Sequence, residues 1–119
     1  MIDLSTVMAD RADQVTTSDP DLIVRYSLYT DERYEWGVLH ILDRDEHVIG
    51  LEFFESGDSW MRPSAVSDYN MASREGYPVT VVIPDNMFGQ FHHMIQERGG
   101  EGFATALYSD LKLTPRLKA

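Results

Sequence analysis

Two apolar segments flank a short charged stretch near the middle of the chain. They run from Trp36 to Leu42 and from Val48 to Phe54, and both are rich in β-branched, aromatic and aliphatic residues. The residues between them, 43–46, are all charged and too polar to be buried. This pattern predicts a β-hairpin. Because neither segment has a cleanly polar face, we expect the hairpin to lie inside a sheet, covered on both sides.

A helix and a buried strand are predicted directly after the hairpin. Pro63 and Ser64 mark the start of the helix, and Gly76 and Pro78 end it. The segment Val79–Ile83 is wholly apolar or β-branched, which is typical of a strand covered on both faces. A strand, a crossover helix and a buried strand together predict a right-handed βαβ unit with parallel pairing.

Periodic patterns predict further elements at both ends of the chain. Residues 1–15 form an amphipathic helix pattern, and residues 22–29 read as a first strand. Asp85 or Asn86 can cap another helix, and residues 103–108 read as a last strand. The predicted order is α-β-β-β-α-β-α-β, an α/β (α+β) fold with a central mixed sheet of about five strands flanked by helices.

The length of 119 residues is that of one domain. We assign residues 1–109 to a single globular domain. Residues 110–119 are charged and contain Pro115, so we expect a tail or a partner-dependent element there. The core of the sheet is predicted to consist of Val38, Leu39, Ile41, Val48, Ile49, Leu51, Val79, Val81, Val82 and Ile83.

Composition restricts the partners that this chain can have. Twenty acidic residues against ten basic ones give a net charge of −10, which disfavours binding to a phosphate backbone. The excess of acid indicates either a solubilising surface or one that docks a basic partner. The absence of cysteine excludes disulfides and sulfur-ligated zinc. No apolar run approaches the roughly 20 residues of a membrane helix, and no signal-peptide pattern is present, so we expect a cytoplasmic protein.

Two glutamates are placed at the ends of the hairpin strands. Glu52 lies near the end of the segment VIGLEF, and Glu35 directly precedes WGVLHIL. With this arrangement, residues 35–84 resemble the restriction-endonuclease-like superfamily, the PD-(D/E)xK nucleases. The resemblance implies that Glu52 and Glu35 stand at or near the two strand acids of that family, with Asp10 or Asp13 on the first helix as a further acid. It also implies magnesium held by these carboxylates, since hard cations prefer oxygen ligands.

The chain departs from the family pattern at the catalytic base. Phe54 stands where the family has lysine, no lysine occurs between residues 1 and 111, and Tyr34-Glu35 replaces Pro-Asp. Arg62 can bind a phosphate but stays protonated, so it is a poor substitute in proton transfer. We therefore expect a non-catalytic binding or assembly domain with a nuclease-like fold and no required cofactor. The alternatives are a metal-dependent nuclease with a degenerate site and a small-molecule-binding or regulatory domain.

A candidate interface is predicted from aromatic residues and one arginine. Tryptophan, methionine and arginine are enriched at protein interfaces. On this basis we expect Trp36, Trp60, Arg62 and Tyr77 to contact a second copy of the chain or another protein. For Trp60 the alternative is that its ring folds over the sheet.

Overall fold

The strands pair in the order in which they follow one another along the chain. The structure is a computed structural model that describes residues 2–118. Its strands are Ile23–Thr30 (β1), Glu35–Leu42 (β2), Val48–Glu55 (β3), Val79–Ile83 (β4) and Ala104–Leu107 (β5). The sheet order is β1-β2-β3-β4-β5, antiparallel from β1 to β3 and parallel from β3 to β5. The predicted hairpin, β2 and β3, therefore lies inside the sheet as expected.

Three α-helices complete the fold. They are Leu4–Ser18 (α1), Ala65–Arg74 (α2) and Phe88–Arg98 (α3). α2 connects β3 to β4 and α3 connects β4 to β5, and both strand pairs are parallel, which confirms the crossover predicted from the sequence. The predicted order of elements is confirmed, and the chain is a single compact α+β domain. Among residues 2–118, none of the helices combines the length and hydrophobicity that crossing a bilayer requires.

The sheet carries one apolar core on each face. On the first face α2 and α3 pack against β3 and β4, and Tyr69, Phe91 and Val81 are almost wholly buried there. On the second face α1 and the C-terminal segment cover the sheet, and Leu4 and Phe54 lie in that core. Because side chains alternate along a strand, β3 and β4 supply residues to both cores.

Six of the ten predicted core residues are buried. Val38, Ile41 and Val48 are half-buried, and the prediction for Ile49 is wrong, because 43% of that side chain is exposed. The pairing of β3 with β4 begins only at Leu51 and Val79. Ile49 therefore precedes the part of β3 that has a neighbour on that side. The buried residues are Leu39, Leu51, Val79, Val81, Val82 and Ile83.

The C-terminal segment packs on the domain, in contrast to the tail predicted for residues 110–119. Leu113 is 6% exposed within the core beneath α1. The backbone N–H of Asp3 donates to the carbonyl of Arg116 at 2.7 Å, and Ile2 forms an antiparallel bridge with Leu117. The sequence pattern missed this packing because the segment is short, and only Leu113 in it is deeply buried.

The start of α3 also differs from the prediction. Neither Asp85 nor Asn86 caps the helix; both lie in a 3₁₀ turn, and Met87 takes the N-cap position without a side-chain hydrogen bond. The Asp85 carboxylate instead accepts a hydrogen bond from the backbone N–H of Ser109 at 3.1 Å. Asp85 thus ties the turn before α3 to the chain after β5.

Candidate functional site

The two strand glutamates lie on the same face of the sheet but far apart along it. Glu52 is paired with Leu39 in the β2–β3 register. Glu35 precedes Leu39 by an even number of residues, so its side chain lies on the same face as those of Leu39 and Glu52. The four-residue offset separates the two positions by about 13 Å along the strand. Two carboxylates at this spacing cannot bind one ion together, because ligand oxygens lie within about 2.6 Å of it.

Glu52 is neutralised by an arginine from α1. The Arg11 guanidinium donates from Nε to Oε1 and from Nη2 to Oε2 of Glu52, both at 2.8 Å. The two side chains are 19% and 9% exposed. The hydrogen-bonded Glu52 carboxylate raises the pKa of Arg11 above its usual value. This bidentate pair occupies both oxygens that a metal ion would need.

The first helix supplies a cation to this face, whereas the resemblance implied a further acid. Asp10 and Asp13 are both exposed on α1, and neither hydrogen-bonds to the strand glutamates. Glu35 is held separately by the C-terminal segment, since Lys118 Nζ lies 3.2 Å from both of its oxygens and donates to Oε2. The structure thus gives each strand glutamate its own basic partner.

A closed polar cluster lies on the other face of the sheet, centred on Glu55 at the end of β3. Arg62 Nη1 donates to Glu55 Oε1 at 2.9 Å and to Oε2 at 2.8 Å. Ser59 Oγ donates to Oε2 at 2.5 Å, and the Tyr69 hydroxyl donates to Oε1. The Tyr108 hydroxyl donates to the backbone carbonyl of Glu55. All five residues are buried, so the cluster is a structural element that no substrate can reach.

The charge state of this cluster follows from its contacts. Burial disfavours the charged guanidinium of Arg62, but Glu55, Tyr69 and Asp68 together outweigh that effect, so the pKa of Arg62 is raised. Burial, together with the charge of Glu55, raises the pKa of Tyr69 well above its usual value. The guanidinium of Arg62 therefore stays charged, while the phenol of Tyr69 stays neutral and donates its hydrogen bond.

Sequence reasoning missed this cluster. The sequence pattern ends the second hairpin strand at Phe54, which leaves Glu55 outside the sheet, and it predicts Arg62 at an interface. Arg62 is 0% exposed, so that assignment is wrong. Trp60 is 5% exposed, and its Nε1 donates to the carbonyl of Gly57, so its assignment to an exposed interface is also wrong. Arg62 follows Glu55 by seven residues in the sequence, and only the fold brings the two side chains together.

A surface groove lies beside the buried cluster. It is found near the end of α2, over the parts of β1 and β2 that this helix leaves uncovered. This groove has a volume of about 310 Å³. Its floor and walls are Tyr29, Trp36, Val38, Phe53, Met71 and Ala72, and its acidic edge is Asp68 and Glu75. We call this feature the apolar groove.

Trp36 lines the apolar groove and contacts two other side chains. The Cζ atom of Arg62 lies 4.0 Å from the centroid of the Trp36 ring, and Tyr29 stacks on the same ring with centroids 5.9 Å apart. Because Arg62 is fixed by Glu55, the Trp36 ring rests on a buried cation that cannot move away. Of the predicted interface residues, Trp36 and Tyr77 are half-buried, and only Trp36 lines the groove.

Three side chains of metal-ligand type come together in the β2–β3 turn, and the hydrogen bonds of the turn explain the position of one of them. Among residues 2–118, the only group of three or more metal-ligand side chains brought together is Asp43, Asp45 and His47. Asp43 Oδ1 already accepts backbone hydrogen bonds from Asp45 and His47, both at 2.9 Å. The Asp43 carboxylate therefore serves to close the turn.

Several of the arginines are buried or paired with an acidic residue. Arg62 is buried, Arg25 pairs with Glu46, and Arg44 lies 3.3 Å from Asp21. Such pairing lowers the positive charge that these arginines offer to a phosphate backbone, and Arg74 and Arg98 line a shared surface pocket together with Glu75. Comparison with known proteins returned no matching family model, no matching curated protein and no matching solved structure.

Proposed function

We propose that this domain is a non-catalytic protein-binding module, built on a nuclease-like fold, that takes a basic and partly apolar segment of a partner into the apolar groove. The observation that carries the proposal is the groove itself. It combines an aromatic floor at Tyr29 and Trp36 with an acidic edge at Asp68 and Glu75. Such a surface offers apolar area to aliphatic stems and carboxylates to the cationic ends of lysine or arginine.

The net charge supports the choice of a basic partner. A charge of −10 repels acidic proteins and nucleic acid and accelerates encounter with basic ones. The fixed position of Trp36 over Arg62 supports the choice of a binding role, because a preorganised aromatic side chain loses little entropy when a partner binds.

The two alternatives have less support. For a nuclease, Glu35 on β2 and Glu52 on β3 are about 13 Å apart along the strand direction, and each is paired with a different cation. For a small-molecule binder, a cavity of about 1020 Å³ lies between α1 and the C-terminal segment. Its lining includes Asp10, Asp13 and Lys112, so it lacks the largely apolar walls that such sites usually have.

Fluorescence polarisation of labelled peptides tests the proposal. The probe is a ten-residue peptide of alternating lysine and leucine, and its counterpart has glutamate in place of lysine. We expect saturable binding of the lysine peptide only. Met71→Ala should weaken that binding about 5- to 30-fold, as expected when roughly 1–2 kcal/mol of apolar contact is lost.

Two matched variants separate the groove from general charge and hydrophobicity. Met61 is exposed but lies outside the groove, and Met61→Ala should leave the affinity unchanged. Glu75→Gln should weaken binding more than Glu101→Gln, which makes the same change in net charge away from the groove. Equal losses in the members of either pair, or no saturable binding of the lysine peptide, would contradict the proposal.

A further inference from the structure

β1 forms an open edge of the sheet. It pairs with β2 on one side only and spans eight residues, Ile23–Thr30. Every residue from Arg25 to Thr30 is exposed, including Tyr26 at 40%, Leu28 at 41% and Tyr29 at 46%. Proteins normally protect an edge of this length with proline, charge or a covering element. β1 contains no proline and no acidic residue, in a chain that has twenty acidic residues.

The other edge of the sheet is different. β5 spans only four residues, Ala104–Leu107, with small side chains at its exposed positions. A short edge of this kind offers few backbone groups to another strand. The two edges are therefore unequal, and only β1 has the length and the apolar side chains of a pairing surface.

The turn after β1 shows which backbone groups face outward. The N–H of Asp31 donates to the carbonyl of Tyr34 at 3.0 Å, so this pair is hydrogen-bonded across the hairpin. Hydrogen-bonded and non-hydrogen-bonded pairs alternate along an antiparallel ladder. The backbone groups of Tyr29 and Ser27 therefore point toward β2, and those of Leu28 and Tyr26 point away from it, toward the open edge.

We propose that β1 pairs with β1 of a second copy of this chain, antiparallel and with Ser27 on the two-fold axis. In this register Tyr26 lies opposite Leu28 of the other copy, and Val24 lies opposite Thr30. These are the residues whose backbone groups face outward, so about eight hydrogen bonds can form. Arg25 lies opposite Tyr29 of the other copy, and its guanidinium can exchange the solvent-exposed ion pair with Glu46 for stacking on that ring. Each exposed apolar side chain of β1 thus gains a partner.

Neighbouring registers satisfy fewer of these groups. A shift that changes the pairing by one residue places an outward-facing backbone opposite an inward-facing one, so the ladder cannot form. The register centred on Tyr26 places Arg25 opposite Ser27 of the other copy and removes its contact with Tyr29. The register centred on Leu28 shortens the pairing to residues 26–30. The register centred on Ser27 is therefore the one that the side chains favour.

A second copy suits this edge better than the basic partner of the apolar groove. β1 carries one cation and no acid, so two copies bring no acid opposite another acid along the strand. A strand rich in lysine would find no carboxylate on β1 and would meet the cation of Arg25 there. The pairing joins two sheets into one of ten strands, with both grooves on the same side of it. This inference does not rest on the proposed function of the groove.

Disulfide trapping tests the register directly, because the chain has no cysteine of its own. Ser27→Cys places two thiols opposite each other in a non-hydrogen-bonded pair, where Cα atoms lie about 4.5 Å apart, within the range for a disulfide. The control is Thr105→Cys, exposed on the opposite edge strand. At micromolar protein under mild oxidation, we expect Ser27→Cys to form covalent dimer on the order of 10²-fold faster, because paired thiols have a millimolar effective concentration.

Light scattering provides the second measurement. We expect the unmodified chain to have twice the monomer mass of 13.6 kDa at high concentration. Leu28→Lys should reduce the mass to that of the monomer while leaving the melting temperature of the monomer intact, since Leu28 is exposed in the single chain. Crosslinking of Ser27→Cys no faster than that of Thr105→Cys, or a monomeric mass at all concentrations up to the millimolar range, would overturn the proposal.

Discussion

Arg62 Nη1 lies 2.9 and 2.8 Å from the two carboxylate oxygens of Glu55, and both side chains are completely buried. Removing one member of such a pair leaves an uncompensated charge in the core. We expect Arg62→Met to lower the free energy of unfolding by about 3–5 kcal/mol. Urea denaturation followed by circular dichroism measures this change. The loss should include the support that Arg62 gives to the Trp36 ring.

A surface pair provides the control for this prediction. Arg44 lies 3.3 Å from Asp21, with side chains 77% and 62% exposed. Solvent screens that interaction, so Arg44→Met should cost less than about 1 kcal/mol. If Arg62→Met proved no more damaging than Arg44→Met, the buried ion pair would not be a determinant of stability.

The central elements were predictable because their signals are local. The segment Val79–Ile83 is a strand in the structure with the predicted boundaries, and the hairpin strands begin or end within one residue of those expected. Helix α1 was recognisable from the spacing of Leu4, Val7 and Val15, all of which are buried. In each case the residues within one short stretch of sequence are sufficient to predict the element.

The polar cluster was not predictable, because it depends on contacts between distant elements. Glu55 receives hydrogen bonds from Tyr69, fourteen residues later, and its carbonyl receives one from Tyr108, fifty-three residues later. Nothing near Arg62 in the sequence distinguishes it from an exposed arginine. The pairing of Glu52 with Arg11 was missed for the same reason, since the two residues are 41 positions apart.

The buried strand β4 should be sensitive to loss of volume. Val81 and Ile83 are each 0% exposed, between elements on both faces of the sheet. Replacing either with alanine should cost on the order of 1–4 kcal/mol, through lost burial and the cavity that remains. Thermal and urea unfolding measure the effect. Ile49→Ala removes similar atoms from a side chain that is 43% exposed, and it should cost clearly less. A melt unchanged by the β4 substitutions would contradict the burial of this strand.

The buried phenols predict a loss of stability in alkali. Burial, with the nearby charge of Glu55, raises the pKa of Tyr69 and of Tyr108 above the usual value of 10.0. A group whose pKa is higher in the folded state stabilises the fold below its unfolded pKa, and that contribution is lost as pH rises through the folded pKa. We therefore expect the free energy of unfolding to fall from about pH 10 upward.

Substitution of the phenols tests this pH dependence. Urea midpoints measured from pH 8 to 11 should decline less steeply for Tyr108→Phe than for the unmodified chain. Tyr26→Phe, which changes a side chain that is 40% exposed, should leave the slope as it is. A slope that is identical in Tyr108→Phe would show that this phenol does not contribute to the alkaline loss.

The contacts of Glu52 predict how the melting temperature responds to divalent metal ions. Both oxygens of Glu52 are engaged by Arg11 at 2.8 Å, and an ion would have to displace the guanidinium. We expect neither magnesium nor a chelator to shift the melting temperature. Arg11→Ala should cost about 1–3 kcal/mol, because it leaves the buried Glu52 carboxylate without its partner. A melting temperature that rises with magnesium in the unmodified chain would contradict this account.

The position of Phe54 predicts that this chain does not cleave nucleic acid. Its side chain is 0% exposed and stacks on Tyr108 with ring centroids 6.4 Å apart, so the position that the resemblance assigns to a catalytic lysine belongs to the core. A core ring cannot orient water or stabilise developing charge, a contribution typically worth about 2.7–4 kcal/mol or more. We expect no cleavage of single-stranded DNA, duplex DNA or RNA with magnesium or manganese at neutral pH. The decisive comparison is between the unmodified chain and Glu52→Ala. Metal-dependent cleavage that disappears in Glu52→Ala would restore the nuclease, whereas cleavage that persists in it would come from a contaminating enzyme.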